Sequence, residues 1–287
     1  MISSEILTVN GLDLHCYFSG EGEKTIMLLH GAGLDSAMLS WREVLPILAA
    51  QGYRVIAPDL PGYGSSDSVE AGYSLPFYSE IIAALIEQLG GAPITLGGLS
   101  MGGGITLKVA LDYPHLVRGI IPVDALGIAP RLPWHGLMYW FIHSPFNRNL
   151  YSRTAKWRWL VRWSLSANLF GDKSKITDAL VDEVMAAGDK QRGSEPFRSF
   201  QERELTKTGL ATPIFSRLGE ISLPTLLVQG SHDTAVPLSS AVEAQKLIPN
   251  ARLHVMEGCK HWPQKERPEE FSAAVTAFLA EEFPCGT

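Results

Sequence analysis

The chain has 287 residues, of which 46% are hydrophobic and 19% charged, and this balance predicts a globular protein with one sizeable core. The formal net charge of −6 argues against nucleic acid as the main partner. The N-terminus lacks a basic region before a long apolar run, and no window reaches the ~18 uninterrupted apolar residues of a membrane span, so we expect a cytoplasmic protein.

Short apolar runs alternate with helical patterns along most of the chain. Alternating residues over 12–18 predict a half-exposed antiparallel strand, and the runs over 26–29 and 55–57 predict strands buried on both faces. Further strands are predicted over 94–98, 117–123, 225–229 and 252–256, and helices near 36–50, 76–89, 238–248 and 268–282. This order predicts an α/β fold with a mostly parallel central sheet of about eight strands flanked by helices.

The alternation stops between Asp124 and Pro224. A stretch of about a hundred residues is too long for a loop in a compact domain, and its periodicity is helical. We therefore predict a core domain over 1–124 and 213–287, with an inserted helical cap over 125–212.

A lone serine lies between glycines in Gly98-Leu99-Ser100-Met101-Gly102, where a short apolar run gives way to a helical pattern over 103–113. A hydroxyl that projects from so tight a turn requires small neighbours, which explains the G-x-S-x-G spacing. The strand before the turn and the helix after it are the context in which this motif forms a nucleophile elbow. Ser100 is therefore the predicted nucleophile.

Two downstream loops carry the groups that a serine nucleophile requires. A serine hydroxyl reacts poorly at neutral pH unless a base removes its proton and an acid orients that base. Asp233 follows the strand predicted over 225–229, and His261 follows the strand predicted over 252–256. Because parallel strands bring their carboxyl ends to one edge of the sheet, we expect both side chains to converge on Ser100.

Two backbone N–H groups are predicted to hold the oxyanion that forms during acyl transfer. The first belongs to Met101, at the start of the helix after the nucleophile. The second comes from the glycine-rich turn His30-Gly31-Ala32-Gly33, with Ala32 as first choice and Gly33 as second. His30 is expected to hold this turn by hydrogen bonds rather than to act as the base, and it is also a candidate pocket residue.

Five motifs resemble those of the α/β-hydrolase family over essentially the whole chain. They are His30–Gly33, Asp59–Asp67, the serine elbow, Gly230–Pro237 and Lys260–Trp262. The resemblance implies Ser100 as nucleophile, His261 as general base and then acid, and Asp233 as orienting acid, beneath a helical cap. Asp124, at the end of its strand, is an alternative acid that fits less well.

Some motifs resemble one subfamily of this family, whereas others differ from it or are shared with other subfamilies. The segments Ala251–Trp262 and Ser100–Gly103 are similar to those of the meta-cleavage-product hydrolases, which cut carbon–carbon bonds with the same triad. The oxyanion loop of that group commonly continues with Gly-Pro-Gly, whereas Leu34-Asp35-Ser36 follows here. Carboxylesterases and cofactor-free haloperoxidases or perhydrolases share the serine run.

We therefore predict a serine hydrolase that cleaves a small, mainly apolar carboxylic ester through an acyl-enzyme. The runner-up is a carbon–carbon bond hydrolase. A perhydrolase or haloperoxidase-like enzyme and a non-catalytic ligand-binding protein are further alternatives.

The predicted cap is rich in tryptophan and arginine and has no acidic residue over 125–171. Its tryptophans and basic residues in this stretch are Trp134, Trp140, Trp157, Trp159, Trp163, Arg131, Arg148, Arg153, Lys156, Arg158 and Arg162. Such a surface favours an apolar substrate with a negative group, or peripheral contact with an anionic membrane. The alternative is that the tryptophans pack the cap on the core and the arginines are solvated. Trp134, Trp140 and Trp262 are candidate pocket residues.

The three cysteines, Cys16, Cys259 and Cys285, match neither a disulfide framework nor a metal-ligand spacing. The predicted chemistry needs no cofactor and no metal, and its partner is a small-molecule substrate. The sequence leaves the oligomeric state open.

Overall fold

The computed structural model describes residues 1–144, 156–190 and 195–284. The expectations for Arg148, Arg153 and Cys285 fall outside these ranges.

Eight strands form one sheet in the order β1-β2-β4-β3-β5-β6-β7-β8. The strands are β1 Ile2–Val9, β2 Leu12–Ser19, β3 Lys24–Leu29, β4 Tyr53–Pro58, β5 Ile94–Leu99, β6 Val117–Val123, β7 Thr225–Gly230 and β8 Ala251–Met256. β2 pairs antiparallel with β1 and β4, and the strands from β4 to β8 pair in parallel. The predicted α/β fold with a mostly parallel sheet is confirmed.

The first strand was not predicted, because most of its residues are exposed and it carries no apolar run. It forms a hairpin with β2 through Asn10 and Gly11, whose φ values of 50° and 80° are typical of a two-residue hairpin turn. The Asn-Gly pair was the available sequence signal for this edge strand.

Two hydrophobic clusters form the core, one on each face of the sheet. Met27 and Leu29 of β3 belong to the first cluster, and Ile26 and Leu28 belong to the second, as the alternation of side chains along a strand requires. The helices of the predicted core domain are Ala37–Trp41, Val44–Ala50, Leu75–Gln88, Met101–Asp112 (the elbow helix), Leu238–Leu247, Pro263–Glu266 and Pro268–Glu282.

The described residues between β6 and β7 are largely helical, as the periodicity predicts. The elements of this region, which we call the cap, include the helices His135–Ile142, Arg158–Ser164, Asp178–Lys190 and Glu195–Glu204 and the π-helical turn Leu165–Leu169. The boundaries of the cap at residues 125 and 212 stay a prediction.

The elbow helix passes so close to the sheet that several of its contacts leave no room for a side chain. A Cβ at Gly98 would lie 2.4 Å from the backbone of Gly102, and a Cβ at Gly102 would lie 2.5 Å from the carbonyl oxygen of Leu29. A Cβ at Gly103 would lie 2.6 Å from the Cβ of Ala125. The glycines are therefore required by packing as well as by the turn itself.

Gly103→Ala is expected to lower the free energy of unfolding by about 1–3 kcal/mol, because the added methyl group overpacks this contact. Gly136→Ala in the cap is the matched control. Among the described residues, no atom apart from its chain neighbours and its own helix backbone lies within 4 Å of the place where its Cβ would stand. The control is expected to be neutral or to stabilise by up to about 1 kcal/mol. Urea denaturation followed by circular dichroism measures both, and equal effects would contradict the packing argument.

Candidate active site

Ser100 lies between β5 and the elbow helix in a strained backbone conformation, with φ 52° and ψ −109°. Such strain costs about 1–3 kcal/mol and persists only where the surroundings fix the conformation. Here the Ser100 N–H donates to the Val123 carbonyl oxygen at 2.8 Å, and the Ser100 carbonyl accepts from the N–H of Leu126 at 2.9 Å. The turn is thus held against the end of β6, and Ser100 lines the cavity beneath the cap.

Asp233 and His261 form a buried, hydrogen-bonded pair at the carboxyl edge of the sheet. His261 Nδ1 donates to Asp233 Oδ2 at 2.6 Å. The other carboxylate oxygen accepts from the N–H groups of Ala235 at 2.7 Å and Val236 at 3.1 Å, which fixes the orientation of the acid. Nε2 is therefore the ring nitrogen left to receive a proton, and His261 lines the same cavity as Ser100.

The surroundings of His261 favour its action as a base. Burial works against the charged imidazolium, but the Asp233 carboxylate and its hydrogen bond outweigh burial and raise the pKa of His261. A raised pKa makes Nε2 a better proton acceptor, provided that the ring is neutral at the working pH.

Asp124 lies beside this pair in a different environment. Its Oδ1 accepts from the Gly230 N–H at 2.9 Å, whereas its Oδ2 is buried with no hydrogen-bond partner among the described residues. Burial and the charge of Asp233 raise the pKa of Asp124 well above its usual range, which favours the protonated form. Asp233, which bonds to His261, is thus the better placed acid.

One donor atom each from Asp124, Asp233 and His261 lie within 4.8 Å of one another, which is close enough for metal ligands. In the structure, His261 Nδ1 and Asp233 Oδ2 are joined by a hydrogen bond instead. The observed arrangement is a hydrogen-bonded Asp233–His261 pair with Asp124 beside it.

Met101, which follows Ser100, and Ala32 are the two predicted donors of the oxyanion hole. Both residues line the cavity, and neither N–H has a hydrogen-bond acceptor in the described ranges. Met101 is also the first residue of the elbow helix, where the helix dipole favours negative charge. The pair fits the predicted oxyanion hole, which stays a prediction, and Gly33 lines the cavity beside them.

His30 does not line the cavity, so the prediction that it is a pocket residue is wrong. It is fully buried: Nδ1 donates to the Gly31 carbonyl at 2.7 Å and Nε2 accepts from the Leu60 N–H at 3.0 Å. Burial lowers the pKa of His30 to about 4, which keeps the ring neutral. The ring thus ties the glycine-rich turn to the loop after β4.

Asp35 is a second anchor of the glycine-rich turn, a role that was not predicted from sequence. Its carboxylate accepts from the N–H groups of Gly31 and Ser36, each at 2.8 Å, and from the hydroxyl of Ser40 at 2.8 Å. Burial raises the pKa of Asp35 to about 6 despite these hydrogen bonds. The Gly-Leu-Asp-Ser run after the turn was the only signal for this role.

A cavity of about 620 Å³ lies between the cap and the carboxyl edge of the sheet. Its wall is mostly apolar and includes Trp262 and Trp134, two of the predicted pocket residues. Trp134 is 83% exposed, which places it at the opening. Trp140 does not line the cavity and is 63% exposed, so the prediction that it is a pocket residue is wrong.

The five cap tryptophans are all more than half exposed, so they do not pack the cap on the core. Arg158 pairs with Asp178 and Asp182, and Arg162 pairs with Asp178, so acidic residues beyond the acid-free stretch neutralise these arginines. None of the described arginines lines the cavity.

Among the described residues, no helix has both the length and the apolar character needed to cross a bilayer. Peripheral contact with a membrane stays a prediction.

The loop that carries His261 is fastened to the cap. Lys260 Nζ donates to the carbonyl oxygens of Ser166 at 2.6 Å and Ala167 at 2.9 Å, both in the π-helical turn of the cap. The Trp262 N–H donates to the Leu169 carbonyl at 3.1 Å. These carbonyls lie near a helical C-terminus, where a lysine is electrostatically favourable.

Glu266, a few residues after His261, makes a further connection between this loop and the cap. Its buried carboxylate accepts from the N–H groups of Gly171 and Asp172, each at 2.8 Å. The backbones approach so closely that a Cβ at Gly171 would lie 1.8 Å from the Gly258 carbonyl oxygen. The position of the histidine loop therefore depends on the cap.

A sharply turned serine at the carboxyl edge of a mostly parallel sheet, served by an aspartate–histidine pair from two later loops, defines the α/β-hydrolase class. The chain belongs to the alpha/beta hydrolase fold family, whose sequence model matches residues 24–268.

Known relatives place the chain near one group within this family. A 2-hydroxy-6-oxononadienedioate/2-hydroxy-6-oxononatrienedioate hydrolase of Cupriavidus pinatubonensis is 30% identical over 297 residues, covering 96% of this chain and 95% of the relative. A 2-hydroxy-6-oxo-6-phenylhexa-2,4-dienoate hydrolase of Burkholderia cepacia is 32% identical over 290 residues, covering 97% and 96%. The solved structure of a meta-cleavage product hydrolase from Pseudomonas fluorescens has a TM-score of 0.80 at 27% identity, covering 96% of this chain and 97% of the other. The resemblance to meta-cleavage-product hydrolases is confirmed, and the chain is a hydrolase of the α/β fold.

Asp233→Asn is expected to lower kcat about 10³-fold or more, because His261 loses the acid that orients it. The pKa of His261 should fall as well, which moves the acidic limb of the pH–rate profile to lower pH. Asp124→Asn should change kcat less than about 3-fold, since an amide resembles a neutral carboxylic acid in size and hydrogen bonding. Profiles of p-nitrophenyl ester hydrolysis measure both variants, and equal damage would show that the assignment of the acid is wrong.

Lys260→Met is expected to lower kcat about 10-fold, because releasing the cap lets the His261 loop leave its catalytic position. Lys260→Arg, which keeps a cationic donor, should restore part of the loss. The matched control is Lys265→Met, since Lys265 pairs at 2.8 Å with Glu43 of the core rather than with the cap. A loss of kcat as large in the control as in Lys260→Met would argue against a specific role for the cap connection.

Proposed function

We propose that this chain hydrolyses the carbon–carbon bond beside the ketone of a 2-hydroxy-6-oxo-dienoate, with Ser100 as nucleophile. One observation carries the proposal: the hydrogen-bonded His261–Asp233 pair shares a cavity with Ser100. Support comes from the relatives above, which are named as hydrolases of such compounds at 30% and 32% identity. We therefore prefer this reaction to ester hydrolysis, which was the main prediction from sequence alone.

In the proposed reaction, the Ser100 hydroxyl attacks the ketone carbon at C6 while His261 Nε2 takes its proton. The oxyanion is held by the N–H groups of Met101 and Ala32. The proton of the C2 hydroxyl moves to C5, which turns the dienol into its keto form. The bond between C5 and C6 then breaks, its electron pair passes to the C2 oxygen, and that oxygen receives the proton from His261 as the dienoate fragment leaves. Water, activated by the same histidine, hydrolyses the acyl-enzyme to release the carboxylic acid. One water is consumed in each turnover.

The shape and chemistry of the cavity fit a substrate with an apolar substituent at C6. A volume of about 620 Å³ lies within the range that holds small ligands, and most of the wall is apolar. Phe197, Phe200 and Met138 are among the large side chains that a phenyl or alkyl group would contact.

Hydrolysis of a small apolar ester is the second candidate, and one observation favours it. Among the described residues that line the cavity, none is a lysine or an arginine. A dienoate carries a carboxylate, for which arginine and lysine are the usual partners, whereas an apolar ester needs neither. The same triad and oxyanion hole would serve an ester, with an alcohol as the leaving group.

The test compares 2-hydroxy-6-oxo-6-phenylhexa-2,4-dienoate, followed by the loss of its colour, with p-nitrophenyl hexanoate. Ser100→Ala is expected to reduce kcat on either substrate about 10³-fold or more, because the nucleophile is gone. Ser164→Ala, which changes another serine of the cavity wall, is the matched control and should keep most of the activity.

A higher kcat/KM for the dienoate than for the ester supports the first proposal, and turnover of the ester alone supports the second. Turnover of neither substrate would favour a ligand-binding protein, and full activity in Ser100→Ala would overturn the mechanism.

A further inference from the structure

One buried side chain in the cavity wall has a polar atom without a partner. Gln201, on the cap helix Glu195–Glu204, is only 8% exposed and lines the cavity. Its Oε1 is buried and has no hydrogen-bond partner among the described residues. A buried carbonyl or amide group without a partner is unfavourable, and such groups are uncommon in folded proteins unless a ligand or water meets them.

The other polar side chains of the described wall differ from this glutamine. Apart from the nucleophile and the base, they are Ser164, Asn168 and Thr234, and all three are at least partly exposed. The Nδ2 of Asn168 also has a partner, since it donates to the Ser164 carbonyl at 3.2 Å. Within the described ranges, Gln201 is thus the buried polar side chain of the wall that does not belong to the predicted triad.

The helix that carries Gln201 is held in place by Glu204, one turn further along. The buried Glu204 carboxylate accepts from the Leu75 N–H at 2.8 Å, the Thr212 hydroxyl at 3.0 Å and the Thr212 N–H at 3.2 Å. These bonds tie the helix to the start of a core helix and to the end of the cap. The glutamine is therefore presented to the cavity from a fixed position, as a binding group must be.

We propose that Gln201 binds the hydroxyl group on C2 of the substrate and thereby seats its polar end. A primary amide accepts through one atom and donates through the other, so it can bind the hydroxyl and an oxygen of the neighbouring carboxylate together. This inference rests on the proposed carbon–carbon hydrolysis, and it supplies a buried polar contact in a wall whose described residues include no lysine or arginine. Analogues without the hydroxyl would leave the amide unpaired, so the residue would set specificity.

The experiment measures kcat and KM of the wild type and of Gln201→Met, in which an unbranched apolar side chain keeps the length of glutamine. The substrates are 2-hydroxy-6-oxo-6-phenylhexa-2,4-dienoate and p-nitrophenyl hexanoate, which has no hydroxyl. We expect kcat/KM for the dienoate to fall about 10-fold to 100-fold, mainly through KM, with the ester nearly unchanged. Gln245→Met makes the same replacement outside the cavity wall and should behave as the wild type.

An equal loss on both substrates would show that Gln201 only packs the helix, and no loss on the dienoate would show that the hydroxyl binds elsewhere. Either result overturns the inference. If the wild type cleaves esters but not the dienoate, the proposed function fails by itself. The comparison then uses p-nitrophenyl esters of hydroxylated and plain hexanoic acids. A loss in Gln201→Met confined to the hydroxylated ester supports hydroxyl binding, and equal rates for both esters reject it.

Discussion

The close passage of the elbow helix over the end of β3 is the contact on which the arrangement of the site depends. Because Gly102 lies against the Leu29 carbonyl, the helix start and the glycine-rich turn after β3 become neighbours. That proximity favours the predicted oxyanion hole, because Met101 at the helix start and Ala32 in the turn line the same cavity as Ser100. A side chain at Gly102 would push the start of the elbow helix away from this turn.

Environment, rather than residue type, separates the roles of the two neighbouring aspartates. Asp233 receives N–H donors on one oxygen and His261 on the other, so its charged form is well solvated by the protein. Asp124 has one donor and one buried, unbonded oxygen, and burial favours its neutral form. His261 Nδ1 is thus paired with the hydrogen-bonded carboxylate of Asp233, whereas burial disfavours a negative charge on Asp124.

Much of the fold and the residues of the predicted triad could be identified from sequence, because short local patterns indicate both. A buried parallel strand is a short apolar run, and a residue just after such a strand is known to lie at the catalytic edge. Strand β1 was not predicted, because this exposed edge strand has no apolar run. Sequence did not predict the roles of Lys260, Glu266 and Gln201, because these roles depend on surroundings in the fold that the local sequence does not encode. The partners of Lys260, for example, lie 93 and 94 positions away. Trp140 was misjudged because composition does not tell which face of a cap helix meets the cavity.

The bonds from Lys260 and Glu266 to the cap bear on how enzymes of this architecture could be recombined. The cap is a continuous insertion in the chain, but it is not structurally independent of the active site. Its backbone over 166–172 helps to hold the loop that carries His261. Transplanting a foreign cap to change substrate preference would therefore also exchange part of the support of His261. A modular graft would succeed only if the incoming segment presented matching carbonyl and N–H groups to the resident lysine and glutamate.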